Sequence, residues 1–240
     1  MRLARLFAAL LAALAVSAAG PYTNRLAPQE LRRIKTVAVI SAVGHSFLFQ
    51  HVTDTGFEWL GPPDAHFLEV SDWALDSDIA QQVTQALATE FTVKPVAFVP
   101  SDFSSWNDAL LKRAALDLNG DPAIDAYVFV LRDAHYDAIG HGVHDLGGLG
   151  LYRGDGANTC YGVFASYRIV VVDALTGNTI ASRAALMPDG SLPWLPVGAS
   201  LWPKTPNDLS EAQRATLLAD ETRLIAATLP RTLAAMGLAR

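Results

Sequence analysis

Asp125-Ala126-Tyr127-Val128-Phe129-Val130-Leu131 is an apolar run opened by one acid. Its β-branched and aromatic residues, with no alternation of polar and apolar, predict a strand covered on both faces of a sheet. Working back from it, Ser105-Trp106-Asn107-Asp108 offers capping side chains for a helix that puts Trp106, Leu110 and Ala114 on one stripe and stops at Asn119-Gly120. Val93 to Val99 reads as another strand, with Pro95 marking its start as an edge or as lying outside the ladder. Before it, Ile79, Val83, Ala86, Leu87 and Phe91 recur on one helical face, with Asp76 or Ser77 as the cap. Lys35 to Ile40 is a further buried strand ending near Gly44. The order strand, helix, strand, helix, strand predicts crossovers and a parallel core.

Outward in the other direction the pattern changes. Val163 to Val172 and Asn178 to Leu186 are strands joined by Asp173-Ala174-Leu175-Thr176-Gly177, a link so short that they must be antiparallel. The stretch 188–206, rich in proline and tryptophan, has no periodicity. Ser210-Glu211-Ala212-Gln213 is a capping box for a last helix whose apolar side holds Leu217, Leu218, Leu224, Ile225 and Leu229. Pro230 lacks a backbone donor, so that helix should end or kink there before a short terminal one. Between the first strand and the first helix, 45–70 is dense in aromatics: Phe47, Phe49, Phe57, Trp59 and Phe67. Alternation at Phe47 and Phe49, the turn Thr53-Asp54-Thr55-Gly56 and the break Gly61-Pro62-Pro63 predict an inserted β-hairpin. The fold class is α/β with α+β character: a mixed sheet in two or three layers, a β-α-β-α-β core, an antiparallel hairpin and a C-terminal helix.

The ends and the composition set the class of protein. Arg2 and Arg5 followed by the apolar run 6–16 and by Val16-Ser17-Ala18-Ala19 read as a cleavable signal peptide over residues 1–19. The run is too short to span ~30 Å of hydrocarbon, and no cysteine near the junction offers a lipid anchor. Residues 20–33 read as a flexible lead-in and 34–240 as a single α/β domain, so the mature protein is expected in the periplasm or outside the cell, with no membrane span. A chain of 240 residues, 51% hydrophobic and 18% charged, has ample material for a core. The net charge of −6 excludes a general nucleic-acid grip, which needs basic surface to displace counterions from phosphates. One cysteine, Cys160, forms no internal disulfide. It reads as a small, partly buried apolar residue in preference to a nucleophile or an intermolecular bridge.

The densest chemistry is in His135-Tyr136-Asp137-Ala138-Ile139-Gly140-His141-Gly142-Val143-His144-Asp145. Zinc takes three or four imidazole or carboxylate ligands at about 2.0–2.2 Å, and a glycine-rich loop can fold to supply them. His135, His141, His144 and Asp145 are therefore the candidate ligands for zinc or a similar divalent metal, without an HExxH motif. The plainer reading is a polar connection whose histidines bond to backbone or water. Gly44-His45-Ser46 has the start of a nucleophile elbow but Leu48 where the second glycine belongs, and a hairpin where the helix should follow. His45 and His51, six apart, share a strand face. Gly147-Gly148-Leu149-Gly150 lacks the Walker lysine and a following helix, so it reads as a hairpin or a flexible lid. The aromatics of 47–73 and the pair Trp194 and Trp202 read as core, and any that share an exposed patch would mark a partner surface.

On these residues the chain resembles small periplasmic α/β domains of bacterial envelope assembly: the amino-terminal domain of TolB, the CsgG curli-secretion family and the penicillin-binding-protein activator lipoproteins. The resemblance covers roughly residues 34–186. It is carried by 35–40, 78–91, 125–131 and the strand Tyr167-Arg168-Ile169-Val170-Val171-Val172 running into Asp173-Ala174-Leu175-Thr176-Gly177. It implies non-enzymatic protein–protein interaction with an envelope protein and transfers no functional residue. The chain departs from it in lacking a lipobox and in carrying the aromatic insert and the histidine loop. Two functions therefore stand at this point: a binding or assembly module of the cell envelope, and a metal-dependent hydrolase working through the histidine loop.

Overall fold

Asp125 does not join the strand it opens; its carboxylate accepts the Lys35 and Thr36 N–H groups at 2.8 and 2.9 Å and so sets the start of the neighbouring strand. The strand itself runs Ala126–Arg132 and is buried along almost its whole length. It is β5 of nine in a computed structural model that describes residues 24–53, 64–99, 107–118, 123–133, 146–155 and 159–239. The others are β1 (Thr36–Ala42), β2 (Ser46–Thr53), β3 (Asp64–Glu69), β4 (Thr92–Lys94), β6 (Gly148–Asp155), β7 (Cys160–Asp173), β8 (Thr179–Ala184) and β9 (Trp194–Pro196). Four α-helices accompany them: α1 (Pro28–Arg33), α2 (Leu75–Leu87), α3 (Asp108–Asp117) and α4 (Glu211–Met236).

β1 lies between β4 and β5 and is parallel to both, as the strand–helix–strand order predicts. β7 is antiparallel to β5 and β8. The expected β-hairpin after β1 is present as the antiparallel pair β2 and β3, although its return strand follows the Gly61-Pro62-Pro63 break instead of preceding it. β7 spans both halves of the sheet: residues 160–166 face β6 and 167–173 face β5. β5 and β6 therefore lie end to end along one edge of β7, with β8 and β9 along the other. β1 and β2 make a matching end-to-end pair, broken at residues 43–45. One face carries α2 and α4 over Val39, Val128, Tyr167 and Ile169; the opposite face carries α3 over Ile40, Tyr127 and Phe129.

The turn Asp173-Ala174-Leu175-Thr176-Gly177 closes on itself. The Asp173 carboxylate accepts the Thr176 N–H and hydroxyl, both at 2.8 Å, and the Arg33 guanidinium at 2.5 Å. Burial pushes the Asp173 carboxyl up, but these donors outweigh it and hold it below the ordinary carboxylate range. That ion pair also ties down the expected lead-in. Residues 28–33 form α1, Leu26 and Ile34 are buried, and the Leu26 N–H donates to the Met236 carbonyl at 3.1 Å, so the segment is anchored at Leu26 and Ile34.

Several expectations are corrected. Gly147-Gly148-Leu149-Gly150 is no lid: residues 148–150 begin β6, between β2 and β7. A side chain at Gly150 would lie 2.4 Å from the Leu48 carbonyl oxygen and 2.5 Å from the Phe164 ring, so the strand is glycine-rich because its neighbours close over it. α3 buries Leu111 and Ala115, while Leu110 of the expected stripe is 49% exposed and Trp106 lies outside the described residues. Both stripes carry one leucine and one alanine, so periodicity alone does not choose between them. The strand expected over 93–99 is only the short edge β4. The stretch 188–206 contributes β9. α4 runs through Pro230. Pro230 and Ala226, whose carbonyl loses its i+4 donor, are both exposed, where water can take that carbonyl. The burial of Leu229, Leu233 and Met236 holds the last turns in place.

Trp194 of β9 lies over Gly162 so closely that a Cβ there would fall 1.9 Å from its ring. Gly162→Ala is expected to expel the indole, detach β9 and cost about 3 kcal/mol, the order of an overpacked core site. A urea melt followed by tryptophan fluorescence measures it, and a loss under about 0.5 kcal/mol would mean that β9 is not held in this way.

Candidate functional site

The histidine loop falls outside the described residues. His135, His141, His144 and Asp145 all lie in 134–145, the connection from β5 to β6. Its two ends are fixed. The Asp133 carboxylate takes two bonds from Arg168, at 3.0 and 3.1 Å, while Arg132 donates to the Gly147 carbonyl at 2.9 Å and to the Ser46 hydroxyl at 3.3 Å. Among the described residues no group of three His, Cys, Asp or Glu side chains is placed to hold a metal ion.

Gly44-His45-Ser46 is not an elbow. β2 begins at Ser46, no helix follows, and the hydroxyl bonds to Arg132. The two backbone N–H groups at this break, of Val43 and Gly44, both go to the Asp76 carboxylate at 2.9 Å, and the Ser41 hydroxyl joins them at 2.7 Å. Asp76 was expected to cap α2. It ties α2 to the end of β1 instead, and the position before the helix is Ala74 at φ 56°. His45 precedes β2 whereas His51 lies within it, so the two do not share a strand face. Cys160, the first residue of β7, is half-buried against the cluster of Tyr152 and Phe164, in keeping with an apolar role.

His51 lies in a polar cluster beside an open cleft. Its Nε2 is 2.8 Å from the Asp155 carboxylate, which also accepts two bonds from Arg153, at 3.0 and 2.7 Å. The Arg153 bonds come first, and with His51 they hold the Asp155 carboxyl below its ordinary value despite some desolvation. The Arg153 guanidinium stands 5.9 Å from the centre of the Tyr161 ring. On the edge strand, His66 Nε2 is 2.8 Å from Asp64. Strand register explains the gathering: His51 is opposite Asp64 on β3 and Arg153 on β6, and Phe49 is opposite His66. Side chains two apart along each strand then share that face.

Phe49, His51, Asp64, His66 and Arg153 line a cleft of about 330 Å³, whose remaining wall is Trp202 and the following residues 203–205. The Trp202 ring packs on Phe49 at 6.1 Å, on His51 at 6.0 Å and on Tyr161 at 6.5 Å. Gln213, the capping-box residue of α4, donates to the Ser200 carbonyl at 2.9 Å and so fastens this wall to the helix. Of the aromatics expected in the core, Phe47, Phe49 and Trp73 are buried, Trp202 lines the cleft, and Phe67 is 59% exposed. Periodicity and motifs do not single out Asp155 and Arg153, because the glycines at 147, 148 and 150 hide the strand that carries them. Once β6 is placed, Arg153-Gly154-Asp155 is a plain alternation that puts both charges on one face.

No helix among the described residues is long and apolar enough to cross a membrane. No protein-family model matches the chain, and no curated protein matches it in sequence. Among solved structures it is similar to lipoprotein GNA1162 from Neisseria meningitidis, at 15% identity and a TM-score of 0.28, over 80% of this chain and 96% of that one. It is also similar to protein XCC0632 from Xanthomonas campestris, of family DUF330, at 6% identity and a TM-score of 0.31, over 84% of this chain and 87% of that one.

Proposed function

We propose that the chain is exported and acts as a non-enzymatic binding or assembly module of the cell envelope, taking an extended segment of an envelope protein as an added strand. The observation that carries this reading is β3. Among the described residues it pairs with β2 alone, five of its six residues are exposed, and Phe67 projects from it with the Arg132 guanidinium 4.8 Å from its ring centre. An open edge strand offers a row of backbone donors and acceptors to an incoming strand, and an exposed aromatic beside it offers an anchor. Export rests on the leader read in residues 1–19.

The test is the tagged protein recovered from the envelope of cells that produce it. A discrete envelope protein is expected to accompany it, and Phe67→Lys is expected to lose that protein while keeping the native circular dichroism spectrum. A lysine on an edge strand opposes pairing without disturbing the interior. A monomer accompanied by no envelope component overturns the reading. The competing hydrolase on His135, His141, His144 and Asp145 predicts stoichiometric zinc or a similar metal, which elemental analysis of untagged protein decides.

A further inference from the structure

From the cleft beside β2 we infer a second binding activity: the site formed by Trp202, His51, His66, Arg153, Asp64 and Lys204 takes a neutral oligosaccharide. Of the charged groups on its wall, Lys204 stands against Asp64, and Arg153 is already ion-paired at 2.7 Å with Asp155, which lies outside the wall, so a strongly ionic ligand finds no uncompensated charge. The wall holds donors, in Arg153 and Lys204, and acceptors, in Asp64, and each sugar hydroxyl is both. The Trp202 indole supplies an apolar surface suited to the C–H face of a pyranose ring.

The polar groups are also held in place before a ligand arrives. Arg153 and His51 are fixed by Asp155, Asp64 by His66, and Trp202 by three ring contacts. Pre-set partners lower the ordering cost of binding. The volume of about 330 Å³ is within the range of small-molecule clefts. The inference does not depend on strand addition at β3. His66 and Asp64 face the cleft, whereas Phe67, the next side chain along, points to the opposite face. The export reading bears only on where such a ligand is met.

Calorimetric titration of the purified protein with maltohexaose, cellohexaose and chitohexaose, beside heparin hexasaccharide as the acidic probe, tests it. Saturable binding of at least one neutral hexasaccharide is expected. Trp202→Ala is expected to weaken it tenfold or more, and Asp64→Asn, at an exposed position with no part in the core, at least threefold. Phe67→Lys is expected to leave it unchanged, which separates this activity from partner capture. Binding of none of the three neutral probes overturns the inference, as does binding of heparin hexasaccharide alone. So does neutral-sugar binding that neither Trp202→Ala nor Asp64→Asn alters.

Discussion

Glu221→Gln is expected to make the protein more stable at neutral and mildly alkaline pH, by an amount that grows as pH rises. Glu221 is fully buried on α4; one carboxyl oxygen accepts the Gly150 N–H at 3.0 Å and the other has no partner among the described residues. Burial, only partly offset by that bond, pushes its carboxyl well above the ordinary range. In the unfolded chain the same group ionises near pH 4.3. Between that pH and its folded value the unfolded state binds fewer protons than the native one, so stability falls as pH rises. The slope attributable to this single group is about 1.4 kcal/mol per pH unit. Glutamine keeps the acceptor for Gly150 and has no proton to lose. Urea midpoints should therefore diverge between the two proteins as pH rises from about 4.3, up to the pH at which the folded carboxyl ionises. Parallel profiles would show that Glu221 is not held neutral in the folded state.

The second large effect belongs to Asp76. As the cap of α2 its replacement by alanine would cost about 1 kcal/mol. In the structure its carboxylate takes three bonds from the end of β1, one from the fully buried Ser41. Asp76→Ala strips those donors of their partner and is expected to cost about 4 kcal/mol, with Asp76→Asn in between because it keeps an acceptor. Chemical denaturation separates the two accounts, and a loss near 1 kcal/mol for the alanine variant would return Asp76 to the role of an ordinary cap.

Asp76 illustrates which parts of the fold were legible. Where one local rule decides the outcome, the reading and the structure coincide. The apolar run at 126–131 is a two-sided strand, Ser210 and Gln213 form the capping box, and the five-residue link after Asp173 makes β7 and β8 antiparallel. Asp76 obeys no such rule, because its partners lie more than thirty residues back along the chain. β6 was missed since glycine argues against a strand until the Phe164 ring above Gly150 is known. Pro230 argued for a stop that packing on its buried side overrides. The cleft was half legible. His51 and Trp202 drew notice singly, but their meeting depends on the register of β2 against β3 and β6, and on Gln213 holding the segment that carries Trp202.

In the proposed function the β3 edge receives a strand from an envelope protein. A photoreactive residue placed at position 67 in the exported chain, with position 175 as the control, tests it directly in living cells. Leu175 is 80% exposed in the turn between β7 and β8, away from β3 in the sheet order, and so reports random encounters. One discrete cross-linked envelope protein is expected from position 67 and none from position 175. No adduct at 67, or the same set of adducts from both positions, would contradict it.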